Sequence, residues 1–159
     1  MMTNTRSVRP SVAIILDEFF SDYKHVATDR ERRRISLVRK DLTGHLDEEG
    51  WRVLDDSQTA IFDAERELRA TGAFTRVAHA PELFSALAHY ASPVHAQVGI
   101  DQRAVQLDVI EALERQLWKG GYLDGRSVCA HCKVELEADI RNGRKLVREA
   151  RAREQILAR

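Results

Sequence analysis

The two cysteines of this chain stand three positions apart, Cys129 and Cys132, with His131 between them. Two cysteines placed at random in 159 residues would show this separation in roughly one chain in eighty, so the spacing indicates that the pair is not accidental. Two thiols that can approach each other are what metal binding and thiol-disulfide chemistry both require. The sequence by itself does not decide between these uses.

Packing and zinc binding are two explanations of the pair. Cys129 and Cys132 fall on the same helical face as Leu136 and Ile140, and a free cysteine behaves as a small core hydrophobe. Alternatively, Cys129, Cys132 and His131 would supply ligands to a tetrahedral zinc ion, completed by a remote histidine or by a second chain. Zinc is the one cofactor that the residues suggest, and this interpretation remains open beside simple packing.

A reactive thiol is the third explanation. If Ser127 caps the last helix, Cys129 lies in its first turn, where unpaired amides and the helix dipole favour the thiolate. The alternation of strands and helices typical of thioredoxin-like folds is absent around the motif. The chain also contains no Gly-rich phosphate loop and no His-Glu-x-x-His pair, so we predict no catalytic residues and favour a protein that is not an enzyme.

Helix-start and helix-stop signals divide the rest of the chain. Thr28 and Glu31 have the spacing of a capping box, and Gly50 is expected to end that helix in a left-handed conformation. A following helix should bury Ile61, Ala64 and Leu68. Further helix starts are expected at Ser11, at Asp56 or Ser57, at Pro81 and at Ser127. The helix that starts at Pro81 is expected to be apolar on one face.

The last predicted helix is long and highly charged, with a narrow apolar stripe that is interrupted at Asn142-Gly143. A narrow stripe with charged flanks is typical of a helix that packs against a partner. We therefore predict self-association, or binding of a protein partner, through Leu136, Ile140, Val147, Ala150 and Leu157.

Composition favours one all-α domain. The chain has 159 residues, of which 43% are hydrophobic and 31% charged, with 8 glycines and 3 prolines. This composition is typical of a helical globular protein, and a chain of this length needs no disulfide or metal ion to stay folded. We predict a bundle of five or six helices with a long charged C-terminal helix, and a short β-hairpin near residues 51–62 as an alternative detail. The predicted parts are a flexible N-terminus (1–10), a helical core domain (11–125) and a C-terminal helix or helix pair (126–159).

A nucleic-acid interface is the weaker alternative. Residues 35–54 have the rhythm of a recognition helix followed by a glycine and a short strand, with Arg39 and Lys40 on the helix, and in this they resemble a winged-helix DNA-binding regulator. The formal net charge is zero, and acids follow the helix where a wing would meet phosphate. DNA binding is therefore not favoured.

Taken together, these features predict a small helical binding or assembly protein, with a DNA-binding regulator and a thiol-redox or zinc protein as alternatives. The longest strongly apolar run, Val12 to Leu16, is too short to cross a membrane or to form a signal peptide. We therefore expect no membrane partner and a cytoplasmic protein, in which the cysteines stay reduced.

Overall fold

Seven α-helices and one short 3-10 helix make up the described part of the chain, residues 9–23, 25, 27–93 and 98–159 of a computed structural model. Residues 1–8 of the predicted flexible N-terminus lie outside the described residues. The helices are α1 (Val12–Tyr23), α2 (Asp29–Glu49), α3 (Asp56–Leu68), α4 (Ala73–Val77), α5 (Ala80–Tyr90), α6 (Ile100–Lys119) and α7 (Ala130–Leu157), and the 3-10 helix Gly50–Val53 directly follows α2.

The predicted all-α class is confirmed. Within the described ranges, the extended pairing is limited to one bridge between Ser11 and His79. The suggested β-hairpin near residues 51–62 is wrong, because that segment forms the 3-10 helix and the first half of α3. Among the described residues, no helix combines the length and the apolar character that crossing a bilayer requires.

Capping boxes start two of the helices. The Thr28 hydroxyl accepts a hydrogen bond from the Glu31 amide at 3.3 Å, and the Glu31 carboxylate accepts one from the Thr28 amide at 3.0 Å, as the sequence predicts. Helix α3 uses the same arrangement between Asp55 and Gln58, at 2.7 and 3.0 Å. The N-cap of α3 is therefore Asp55, whereas Asp56 or Ser57 was predicted.

Gly50 follows α2 in a right-handed conformation with φ −61°, so the predicted left-handed end is wrong. The need for glycine comes from packing instead. A Cβ atom at this position would lie 2.4 Å from Cδ2 of Phe74, whose ring is fully buried. Left-handed backbone occurs at Gly72 and Gly121, with φ of 78° and 73°.

Helix α3 turns a different face to the core from the one predicted. Ile61 and Leu68 are 57% and 83% exposed, Ala64 is exposed, and Phe62 is the buried residue of this helix. The Phe62 ring meets the edge of Phe74 with centroids 6.4 Å apart. Helix α3 packs mainly on α4, and the contact of the buried Phe62 ring with Phe74 of α4 sets the rotation of α3.

Helix α6 is the central element and packs against α2, α5 and α7. Helix α7 continues unbroken through Asn142-Gly143, where the sequence suggested an interruption. A Cβ atom on Gly143 would lie 2.9 Å from Cδ1 of buried Leu107. The glycine therefore allows α6 and α7 to approach closely, and Leu136 and Ile140 of α7 join the same core as α6.

Most of the predicted partner interface is buried inside the chain. Leu136 is fully buried, and Ile140 and Val147 are 6% and 8% exposed, because this face of α7 packs on α5 and α6. No partner can reach these three residues in the folded chain. Ala150 is half-buried and Leu157 is 86% exposed. Self-association stays a prediction, and it now rests on the exposed end of α7.

Candidate functional site

An ordered turn leads the chain into α7 at the cysteine pair. The Asp124 carboxylate accepts hydrogen bonds from the amides of Arg126 and Ser127 at 2.9 and 2.7 Å, and the Ser127 hydroxyl donates to the Asp124 carbonyl at 3.0 Å. Ser127 thus closes this turn and does not cap the helix, contrary to prediction. Cys129 is itself the N-cap residue, with φ −65° and ψ 125°.

The Cys129 thiol is exposed at the positive end of the helix dipole, so core packing does not explain it. The amides of Cys132 and His131 lower the pKa of the Cys129 thiol below its usual range, and the Cys132 side chain adds to this effect. No close capping hydrogen bond forms to the Cys129 side chain, so the amides act on the sulfur mainly as dipoles. Cys129 is therefore the more acidic thiol of the pair.

The Cys132 thiol has the opposite character. It is half-buried against the core, beside Ser85 of α5. Burial is the largest cause that raises the pKa of Cys132, followed by the nearby Cys129 sulfur, while the Ser85 hydroxyl opposes the rise. The charge of the Cys129 sulfur acts on Cys132, as expected for two side chains three positions apart at the start of α7. The pair thus combines one exposed thiol whose pKa is lowered with one sheltered thiol whose pKa is raised.

His131, the third predicted zinc ligand, lies at the surface and pairs with Glu135. Its side chain is 81% exposed, and its Nε2 lies 3.7 Å from a carboxylate oxygen of Glu135 on the next turn. Within the described ranges, no three histidine, cysteine or acidic side chains converge as a metal ion would require. Zinc binding by Cys129, Cys132 and His131 stays a prediction.

Arg39 and Lys40, the two residues of the predicted nucleic-acid interface, lie in different environments. Arg39 is tied to its own chain, since its guanidinium pairs with Asp17 and lies over the Phe20 ring, 5.3 Å from the centroid. Lys40 is exposed on the next face of α2. The segment where a winged-helix domain has its strand forms a 3-10 helix here, so the structure offers no wing to contact a phosphate backbone.

A buried polar cluster, which the sequence did not suggest, joins α2, α5 and α6. The Tyr90 hydroxyl donates to the Asp41 carboxylate at 2.7 Å, and burial raises the pKa of Tyr90. Arg103, 6% exposed, donates to the Gln106 side-chain oxygen at 2.6 Å and to the Ala91 carbonyl at 2.8 Å. These bonds satisfy one another and the end of α5, so we assign the cluster a structural role.

Three further residues, on the helices that pack on α7, were not identified from the sequence. Ser85 reaches Cys132 only because α5 packs on α7, and no sequence signal marks that contact. Glu114 and Trp118 stand four positions apart on α6, so their shared face was predictable, but their burial beside α7 was not. Comparison of the chain with protein-family models, with curated proteins and with solved structures gives no match.

Proposed function

We propose that this protein is a dithiol redox protein, in which Cys129 and Cys132 exchange with a disulfide of another molecule. The observation that carries the proposal is the asymmetry of the pair: Cys129 is exposed at a helix start and has a lowered pKa, and Cys132, three residues on, is half-buried and has a raised pKa. Thiol-disulfide exchange needs one thiolate that attacks the disulfide and a second thiol that then attacks the resulting mixed disulfide.

In the first step, the Cys129 thiolate attacks one sulfur of a disulfide R–S–S–R. A bond forms between Cys129 and that sulfur, the S–S bond breaks, and one RS⁻ thiolate leaves with the electron pair. In the second step, Cys132 loses its proton to solvent or to the departed thiolate and attacks Cys129. The second RS⁻ leaves, so the protein dithiol is oxidised by two electrons and the disulfide is reduced to two thiols.

The structure supports this order of events. Cys129 is the accessible sulfur, while Cys132 is half-buried, so an external disulfide meets Cys129 first. The negative charge on Cys129 is one of the causes that raise the pKa of Cys132. That charge disappears once Cys129 is joined to the substrate. Cys132 therefore becomes more acidic when its attack is required.

The first test is the pH dependence of alkylation in single-cysteine variants. With Cys132→Ala, the rate of iodoacetamide reaction at Cys129 should reach its half-maximum below about pH 8.5, the ordinary thiol value. With Cys129→Ser, which keeps a good N-cap residue, the remaining Cys132 should react more slowly, with a half-maximum above about pH 8.5. Equal profiles for the two thiols would contradict the proposal.

The second test measures the chemistry. The reduced protein, incubated with a dithiol-disulfide buffer, should form a disulfide between Cys129 and Cys132, detected by mass as the loss of two hydrogen atoms. Cys132→Ala should instead accumulate a mixed disulfide at Cys129, because the resolving thiol is gone. Elemental analysis of freshly purified protein tests the zinc alternative. Stoichiometric zinc bound by the pair would replace the redox proposal with a metal site.

A further inference from the structure

A groove of about 570 Å³ lies between α6 and α7, and its lining includes Lys133, the residue that follows Cys132. Lys133, Glu137 and Arg141 of α7 line it and follow Cys129 at steps of four residues, so the N-cap cysteine stands at the head of the same helical face. One turn, about 6 Å, separates Cys129 from Lys133 along the helix. The opposite wall includes Glu114, Trp118 and Lys119 of α6.

Two polar groups in this groove lack partners within the described part of the chain. The indole Nε1 of Trp118 is buried and makes no hydrogen bond, although the indole N–H is a strong donor. The Nε atom of Arg144, which also lines the groove, is buried without a hydrogen bond, although the Nη atoms of Arg144 pair with Asp108 and Glu111. Glu114, another lining residue, is 9% exposed, and burial, followed by the nearby Glu137, raises its pKa. Buried polar groups are normally satisfied, so a molecule that supplies the missing partners would bind here.

The charges of the groove select the kind of molecule. Its lining holds five bases and three acids, and Glu111 is already engaged by Arg115 and Arg144, at 3.2 and 2.6 Å. Lys119 and Arg141 form no ion pair with any described residue, and the Lys133 ammonium lies 5.0 Å from the centroid of the Trp118 ring. The excess positive charge therefore favours an anion.

The groove also adjoins the sheltered cysteine. Trp118 packs edge-on against Phe84 of α5, with ring centroids 5.8 Å apart, and Ser85, the next residue of α5, contacts Cys132. Along α7, Arg141 lies about 18 Å from Cys129, whereas Lys133 lies one turn from it, so a small molecule that reaches Cys129 occupies the Lys133 end of the groove. We infer that this groove, lined by Glu114, Trp118, Lys119, Lys133 and Arg141, binds an anionic, low-molecular-weight disulfide as the substrate of the cysteine pair. This inference rests on the proposed redox function.

The test compares three disulfides of similar length in exchange with the full-length reduced protein: 3,3′-dithiodipropionate (anionic), 2-hydroxyethyl disulfide (neutral) and cystamine (cationic). The anionic disulfide should react fastest. Lys119→Gln and Lys133→Gln should each slow it by roughly fivefold, the effect of one contact between unit charges in water, and leave the neutral disulfide unchanged. Arg153→Gln, which removes an exposed base of α7 outside the groove, is the matched control.

A second measurement separates binding from exchange. In a Trp51→Phe background, Trp118 is the remaining tryptophan of the chain and reports on the groove. The thioether 3,3′-thiodipropionate cannot exchange, yet it should change the Trp118 fluorescence in a saturable way that Lys119→Gln weakens.

The outcomes distinguish the redox function of the cysteine pair from the role of the groove as its substrate site. Fast exchange without charge preference, and no saturable change of Trp118 fluorescence, would overturn the groove while the redox function stands. Binding of the thioether without exchange of any disulfide at Cys129 would overturn the redox function, and with it the groove's assignment as a substrate site. Exchange that favours the anion and depends on Lys119 and Lys133, with Arg153→Gln unaffected, is the expected result.

Discussion

Replacement of Gly50 by alanine should destabilise the protein, although alanine is the better helix former. The added Cβ atom would lie 2.4 and 2.7 Å from Cδ2 and Cε2 of Phe74, about 1 Å inside ordinary carbon contact. The Phe74 ring is fully buried and has the Phe62 ring at 6.4 Å, so it cannot swing aside freely. Something in the core must therefore shift.

The magnitude follows from two opposing effects. Alanine gains about 0.5–1 kcal/mol from helix propensity and from a less flexible unfolded chain. Overpacking of a filled core costs about 1–3 kcal/mol. The net loss for Gly50→Ala is thus about 1–2 kcal/mol. Gly44→Ala, in the middle of α2, has no atom within 4 Å of the new Cβ and should instead gain about 0.5–1 kcal/mol.

Urea denaturation followed by helical circular dichroism measures both variants. The midpoint should fall for Gly50→Ala and rise for Gly44→Ala, with an unchanged dependence of the free energy on urea. Phe74→Leu should reduce the penalty of Gly50→Ala, because the two positions share one contact. An increase in stability for Gly50→Ala, equal to that of Gly44→Ala, would refute the packing explanation.

Three further predictions concern the buried polar groups and α7. Arg103→Met should lower the free energy of unfolding by about 2–3 kcal/mol in urea, because the Ala91 carbonyl and the Gln106 amide oxygen lose a charged donor, whereas exposed Arg148→Met should have no measurable effect. Glu114→Gln should raise the melting temperature at neutral pH: the folded-state pKa of Glu114 is raised, so its contribution to stability is present below the unfolded pKa and is lost as pH rises through the folded pKa. The advantage of Glu114→Gln should shrink as the pH is lowered through that range, and a constant advantage at all pH values would show that the carboxyl group is not responsible. Self-association through the exposed end of α7 predicts a mass above 18.1 kDa in light scattering, which Leu157→Glu should return to the monomer value; a wild-type monomer at high concentration would end that hypothesis.

The sequence by itself determined the helical class and several helix limits. The capping box at Thr28, Pro81 in the first turn of α5 and the Gly120-Gly121 end of α6 are local signals, because each acts on backbone groups within a few residues. The cysteine spacing was equally visible, as was its place near a helix start. These features depend on neighbours in the chain, so one sequence is enough to find them.

Only the tertiary structure decided which faces are covered. The stripe of α7 matches a partner-binding pattern, yet α5 and α6 of the same chain bury Leu136, Ile140 and Val147, since periodicity shows that a face is apolar and not what packs on it. The same limit applies to Phe62 of α3, to the contact of Ser85 with Cys132 and to the burial of Glu114. Each depends on residues far apart in sequence, and their meeting is decided by how whole helices pack.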